Sequence, residues 1–515
     1  MTTDQLAPTQ SDSIWARNAL FLILVFALGR IAGIALSPVE LYADETQYWI
    51  WSRNFDWGYF SKPPMIAWLI ALSTGLLGDS DFAVRLPAPL LHSATATFLF
   101  LSARHVWDAR TGFWAAALYL TMPGIWLSAM VMSTDALLLC AWSGGLLAVL
   151  HLRDGAGLKT AAALGLAIGL GFLSKYAMIY FVVGTGLAAL YDAPLRKALL
   201  SVKGLVTAVI ALSCLAPNLA WNAANDFATV SHTAANANWG GDLFHFDELL
   251  DFIAEQFGVF GPVLFGVLVV MVYRIARHPG RADRIELLLA AYVVPPILVV
   301  SLQAFISRAH ANWAGSAYVA ATLLVAVFLL RGRPWRRWAL GGSIALHSAL
   351  ALMMFALVAS PTLVEALGRD NDTKRIRAWS ETAEAISDAA SASDYTAIVF
   401  DDRNVFHQTQ RYAPELQGEL RMWLRYSGPV NHAEDVWPLA DGHEGPVLIV
   451  SHRPREVPRM REDFTAFESA GSLAVPLDGD RTRDFTLWRA EGYDRVPRDA
   501  AYETRWQAVD AAASE

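Results

Sequence analysis

Long apolar blocks limit the folds open to this 515-residue chain more than any other feature. They lie near 18–36, 86–104, 112–128, 134–152, 160–174, 177–191, 203–221, 257–273, 286–306, 313–330 and 336–359. A helix needs roughly 20 such residues to cross a bilayer, so the pattern predicts about eleven transmembrane helices. Composition agrees: 55% of residues are apolar and only 17% are charged, against about a quarter charged in soluble domains. The length alone would allow about two to four domains, but the blocks make one membrane domain the better unit. The block 65–78 is apolar but short, and polar residues 79–85 follow it. It reads as an interfacial or re-entrant helix rather than a span.

Sidedness follows from Lys and Arg in the short loops. Arg104 and Arg110; Arg153 and Lys159; Arg196, Lys197 and Lys203; Arg274, Arg277, Arg281 and Arg284; and Arg331, Arg333, Arg336 and Arg337 fall in every second loop. Those loops are expected in the cytoplasm, together with the polar tail 1–17. That tail holds Asp4 and Asp12, and no small-residue cleavage pattern follows it, so the first apolar run reads as a retained span. The opposite side then receives 37–85, the turn 129–134, the hairpin at Lys175, 222–256, 307–312 and the region after 360. The expected organisation is a tail 1–17, a membrane domain 18–360 with a large first outer loop 37–85, and an outer soluble domain 361–515. In that last region Thr396–Phe400 (TAIVF) and Pro446–Val450 (PVLIV) read as buried strands and Arg375–Ala390 has helical spacing, which suggests a small α/β domain. Cys140 and Cys214 lie in apolar blocks without zinc-type spacing.

The first outer loop concentrates chemistry. Asp44 and Glu45 start a helix, with Tyr48 one turn beyond Asp44 and Trp49 one turn beyond Glu45. Trp51, Phe55, Trp57, Tyr59 and Phe60 supply amphipathic area at headgroup depth, and Lys62 precedes Pro63–Pro64, which force an extended exit. The loop can be an interfacial platform with a capping acid and a snorkelling lysine, or a site with a carboxylate pair and a cation. Asp135, after Ser133 and Thr134, is either a helix N-cap or a functional intramembrane charge. Lys175 is either a snorkelling end-of-span lysine or part of an outer-face cation set with Lys62 and Arg308. An anionic group such as a lipid phosphate would satisfy that set. His310, Asn312 and Trp313 stand beside Arg308. The loop 222–256 holds His232, Asn236, Asn238, Trp239 and His245 without a recognisable metal-ligand spacing. Asp247, Glu248, Asp251 and Glu255 read as the solvated face of an amphipathic helix.

The runs DETQYWIWS, DWGYFSKPPMIAWLIAL and GDSDFAVRLPAPL, then STDALLL and GFLSKYA, resemble bacterial members of the dolichyl-phosphate-mannose protein mannosyltransferase superfamily. These are polyprenyl-phosphate-dependent glycosyltransferases of the GT-C fold (families 39 and 83), and they include the aminoarabinose and galacturonic acid transferases that modify lipid A. The resemblance covers roughly 18–330 and extends through QFGVFGP and AHANWAGSAY. It implies a GT-C transmembrane domain in a bacterial inner membrane and a polyprenyl-phosphate-linked sugar donor. It also implies an envelope acceptor such as lipid A or the lipopolysaccharide core, membrane lipids as surroundings, and no nucleic acid. By resemblance Asp44 matches the acidic position of the first outer loop, a base or acceptor-positioning residue, with Glu45 beside it and Asp135 at the second acidic position. Lys62 matches the lysine that holds the donor phosphate, joined by Lys175, Arg308 and His310. Tyr48, Tyr59, Asn312 and Trp313 are the side chains expected to position substrate. In the aminoarabinose transferases a glutamate implicated in metal binding precedes that lysine. Here the residue is Ser61, so no metal is carried over.

Attack on the anomeric carbon would release polyprenyl phosphate, whose growing charge Lys62 and its partners can stabilise. Asp44 would take a hydroxyl acceptor's proton or orient a phosphate acceptor. Two other readings stay open: a protein O-glycosyltransferase of the same fold, and a transporter or flippase. A transporter site usually lies at the midplane on broken helices, often with inverted repeats; here the charges collect at one interface and no repeat is visible.

Overall fold

The computed structural model of the chain describes residues 10–235, 237, 244–368, 374–477 and 481–512. It divides into two compact units, Met1–Ser37 with Ser52–Ala356, and Pro38–Trp51 with Leu357–Glu515.

The helices run α1 (Gln10–Ala35), α2 (Ala43–Ser52), α3 (Met65–Leu77), α4 (Asp81–Arg85), α5 (Pro87–Val106), α6 (Ala109–Thr121), α7 (Pro123–Ser128), α8 (Thr134–Arg153) and α9 (Leu158–Ser174). They continue with α10 (Ile179–Tyr191), α11 (Ala193–Leu199), α12 (Val202–Ala224), α13 (Ala228–Ala235), α14 (Phe246–Val259), α15 (Pro262–Arg277), α16 (Arg284–Ile306), α17 (Ala317–Leu330) and α18 (Pro334–Ala359). Among the described residues six stretches are long and apolar enough to cross a membrane: α1, Asp81–Val106, α8, α12, α16 and α18. The pair α14 and α15, bent by 116°, makes a seventh if it counts as one broken span. Apolar helices α3, α9 and α17 and the stretch Tyr176–Tyr191 are shorter. Every expected span therefore falls on helix, but not all are continuous.

Two expected spans are interrupted for local reasons. Pro123 cannot donate a backbone hydrogen bond and drives Met122 out of the helical region, to φ −54° and ψ 131°, which separates α6 from α7. Gly261 takes φ +102°, and a Cβ there would lie 2.0 Å from His347 Nε2, so the chain turns at glycine between α14 and α15.

Burial sorts the membrane helices. All but two residues of α17 are buried, whereas α12 and α18 expose Leu205, Val209, Leu212, Leu352 and Met353, as expected of helices facing lipid. Trp142 meets Phe181 and Tyr292 edge to face inside the bundle, and the rings of Phe181 and Tyr292 are tilted by 44° to each other. Their one buried hydroxyl, on Tyr292, is satisfied by Thr185 Oγ1 at 2.9 Å, as a buried polar group requires.

The second unit is built on β1 (Ala397–Phe400), β2 (Leu420–Met422), β3 (Val447–Ser451), β4 (Phe464–Pro476) and β5 (Thr482–Tyr493), in the order β2-β1-β3-β5-β4. The first three are parallel; β5 runs antiparallel to β3 and β4. Ile398 and Phe400 pack with Ile386 and Phe406 on one face, while Val399 and Ile449 pack with Trp423 and Met460 on the other. Both faces are covered, so β1 and β3 read in the sequence as unbroken apolar runs. The expected helix at 375–390 starts later, at Trp379, because Ala378 is left-handed with φ 57°. Glu40 supplies the missing cap: its carboxylate accepts from the backbone N–H groups of Trp379 and Ser380, the latter at 2.7 Å. The rest of Pro38–Trp51 is held in the same way. Gln408 donates to the Leu41 carbonyl at 2.9 Å and accepts from Thr46 at 3.1 Å, Tyr412 accepts from the Leu41 N–H at 2.9 Å, and Arg411 stacks over Trp49.

Candidate active site

The charged residues of the membrane unit converge where helices end. Ser133 is extended and precedes α8, which sets Asp135 in the first helical turn. Lys175 is extended at the end of α9, and Asn312 sits in the short 3-10 turn Ala311–Ala314. Lys175 Nζ donates to one Asp135 oxygen at 2.7 Å and Asn312 Nδ2 to the other, also at 2.7 Å. The charge of Lys62 also acts on this carboxylate. Asp135 is thus not the N-cap that its Ser-Thr-Asp context allowed, and Lys175 is not a snorkelling lysine. Both are spent on each other across 40 positions of sequence, with side chains 22% and 21% exposed.

Lys62 is positioned by a clamped loop. Phe55 stacks on Trp68 and Trp57 meets Trp68 edge-on. Trp68 Nε1 donates to the Asp56 carbonyl at 2.9 Å, and Tyr59 Oη donates to the Asn54 carbonyl at 2.7 Å. Burial pushes the Tyr59 phenol up to about 12, which keeps it a donor. From the other side Asn218 donates to the Trp57 carbonyl and Thr229 to the Tyr59 carbonyl, each at 2.7 Å. Gly58 lies against the Trp221 ring so closely that a Cβ would come within 2.3 Å. Tyr59, expected to position substrate, is therefore engaged in holding the loop, and Ser61 is buried in it.

A second polar group adjoins this end of the bundle and escaped the sequence reading. Arg30, buried in α1, donates through Nη2 to the Leu120 carbonyl at 2.7 Å. Among the described residues its Nε and Nη1 find no hydrogen-bond partner. His92 lies between the Tyr119 hydroxyl at 2.8 Å and Ser128 Oγ at 3.1 Å, and feels the charges of both Arg30 and Asp135. The available signal was an arginine inside an apolar run, which is expensive and often functional.

Arg308 and His310 are exposed. Among the described residues the Arg308 guanidinium makes no hydrogen bond, whereas the His310 ring meets Trp313 edge-on at 5.3 Å. His232 packs against Phe60, and His245 precedes α14, whose Asp247, Asp251 and Glu255 are exposed. Asn236, Asn238 and Trp239 lie outside the described residues.

The remaining candidates belong to the second unit. Glu45 is buried, and its carboxylate accepts from the Tyr42 N–H at 3.0 Å, the reciprocal half of a capping arrangement for α2. Asp44, one position earlier, is exposed, and among the described residues its carboxylate has no hydrogen-bond or ion-pair partner. Tyr48 is buried beside Trp51. The adjacent acids therefore differ in kind: Glu45 is structural and Asp44 is available.

The profile of the family described as dolichyl-phosphate-mannose-protein mannosyltransferase matches residues 61–221. The lipid A galacturonosyltransferase RgtD of Rhizobium johnstonii is 36% identical over 393 residues, covering 76% of this chain and 81% of that protein. The undecaprenyl phosphate-alpha-4-amino-4-deoxy-L-arabinose arabinosyl transferase 2 of Pseudomonas fluorescens is 30% identical over 183 residues, 32% of this chain and 31% of that protein. The fold is similar to that of ArnT from Cupriavidus metallidurans bound to undecaprenyl phosphate: the TM-score is 0.64 at 14% identity, over 91% of this chain and 97% of that one.

Proposed function

This chain belongs to the GT-C glycosyltransferases of the dolichyl-phosphate-mannose-protein mannosyltransferase type, and on that premise we propose that it transfers galacturonic acid from a polyprenyl-phosphate donor to lipid A. It is a multi-pass membrane glycosyltransferase that uses a polyprenyl-phosphate-linked sugar and an envelope acceptor. The observation that carries the choice of sugar is the extent of the likeness. The galacturonosyltransferase matches 76% of the chain, whereas the aminoarabinose transferase matches 32%.

The alternating basic loops support an inner-membrane orientation with the N-terminus in the cytoplasm and the chemistry on the outer face. The prenyl tail then stays in lipid while the sugar stands at the interface. The acceptor oxygen attacks the anomeric carbon, the bond from that carbon to the phosphate oxygen breaks, and polyprenyl phosphate leaves with the electron pair. Lys62, with Arg308 and His310, carries the negative charge that grows on the leaving group. Lys175 is tied to Asp135, so the pair with Asn312 acts as a fixed dipole beside that charge. Asp44 accepts the proton when the acceptor is a hydroxyl. When it is a phosphate no proton need move, and Asp44 orients the acceptor.

The test is mass spectrometry of lipid A, core oligosaccharide and envelope proteins from a strain lacking the gene. Loss of one hexuronic acid from lipid A is the expected result. Loss of an aminopentose would overturn the sugar assignment alone, and loss of a glycan from envelope proteins would overturn the acceptor. An unchanged glycan profile would overturn both.

A further inference from the structure

A cleft of about 260 Å3 opens in the second unit, at the C-terminal ends of its parallel strands. From β1 the chain crosses to β2 on one side, then returns to β3 on the other, so the connections diverge between β1 and β3. Such switch points are where open α/β sheets leave a crevice for a ligand. Asp401 follows β1 there, and its buried carboxylate accepts from Ser451 Oγ at 2.6 Å and from the N–H groups of His452 and Arg453 at 3.0 and 3.2 Å. Asp402 caps the helix Arg403–Tyr412 and pairs with Arg453 Nη2 at 2.7 Å. The rim is thus held rigid from both strands.

The lining combines three kinds of group. Arg403, Arg425 and Arg453 supply guanidinium cations. Arg453 is paired with Asp402 and Arg425 with Glu456, but among the described residues the Arg403 guanidinium makes neither a hydrogen bond nor an ion pair. Glu434 and Asn431 cap each other: Asn431 Nδ2 donates to Glu434 Oε1 at 2.7 Å, the Glu434 N–H donates to Asn431 Oδ1 at 3.1 Å, and the Val430 N–H donates to Glu434 Oε2 at 2.9 Å. The second lone pairs of these oxygens are the acceptors offered to a ligand, and the half-exposed ring of Tyr426 supplies an apolar surface. Ligand pockets usually measure about 300–1,000 Å3, so this one admits little more than a single ring. An inorganic anion would use the cation and leave the acceptors idle; a neutral sugar would do the reverse. One ring bearing hydroxyl donors and an anionic substituent uses both, with the anion on Arg403.

We propose that this cleft is a binding site for an acidic monosaccharide unit, a sugar ring carrying a carboxylate or a phosphate. The proposal goes beyond the transferase reading and is tested without measuring transfer.

The experiment uses the full chain in nanodiscs and isothermal titration calorimetry with four probes: galacturonic acid, glucosamine 1-phosphate, neutral galactose and inorganic phosphate. Both acidic sugars are expected to bind at least tenfold more tightly than galactose and phosphate, and the stronger of the two identifies the anionic group. Arg403→Ala should weaken that binding at least tenfold, while Lys62→Ala, in the other unit, should leave it unchanged. Phosphate binding as well as the sugars, or galactose binding as well as the acidic sugars, would overturn the proposal. So would an Arg403→Ala protein that retains a wild-type Kd, or a loss of binding confined to Lys62→Ala, which would place the sugar at the transferase site. Because Arg403 is a partly exposed helix residue, its alanine variant is checked for an unchanged melting temperature. If it melts early, Arg403→Gln, which keeps the side chain's bulk, replaces it, and undiminished binding there equally overturns the assignment.

Discussion

Lys175 Nζ stands 2.7 Å from Oδ1 of Asp135, and Asn312 occupies the other oxygen at the same distance. The ends of two membrane helices and one short turn are therefore tied by a single carboxylate. Residues in one such network couple by roughly 0.5–3 kcal/mol. A double-mutant cycle of Asp135→Asn and Lys175→Met, read by thermal unfolding in detergent, should return a coupling in that range. Additive losses would show that the pair carries no structural energy.

Lys62 is expected to act on the leaving phosphate. Removing a preorganised donor of this kind costs about 100- to 1,000-fold in rate. Lys62→Ala should lower transfer by at least that order while membrane expression and melting temperature hold. Near-normal turnover with a defined polyprenyl-phosphate donor would remove the assignment.

Asp44 and Glu45 should separate cleanly. Asp44→Asn changes an exposed carboxylate that has no partner among the described residues, so stability should stay the same while transfer to a hydroxyl acceptor falls about 100- to 10,000-fold. Glu45→Gln retains the shape of a cap but removes its charge, and should cost about 0.5–2 kcal/mol of stability with a smaller loss of rate. The reverse pattern would exchange the two roles.

Gly58→Ala should impair transfer although residue 58 makes no contact through a side chain. The added methyl would come within 2.3 Å of Trp221, forcing the clamped loop and Lys62 to shift. The double variant Gly58→Ala with Trp221→Leu should recover part of the activity. If the single variant is as active as wild type, the loop does not set the position of Lys62.

How much of this was legible depends on where the partners sit. The apolar blocks gave the membrane helices, and TAIVF and PVLIV gave two central strands, because in each the signal lies within one element. The long hairpin of β4 and β5 was missed because β4 is largely exposed and carries no apolar run. Asp135 looked like a helix cap because its neighbours in sequence are Ser and Thr, while its partners lie 40 and 177 positions away. Asp44 and Glu45 looked like a matched pair until the Tyr42 N–H claimed one of them. Arg30 was overlooked because its worth as a buried cation depends on His92, Tyr119 and Leu120, which no local pattern connects to it.

The capture of Pro38–Trp51 by the C-terminal unit also bears on how the protein is made. Thr46 meets Gln408 from 362 positions away. At roughly 5–20 residues per second, synthesis of the intervening chain takes on the order of 20–70 s. Throughout that time a segment rich in tryptophan has left the ribosome while its native partners are still untranslated. A nascent chain stalled before residue 408 should therefore leave Trp49 and Trp51 open to chaperones or proteases, and release of the full chain should bring their protection in a single late step.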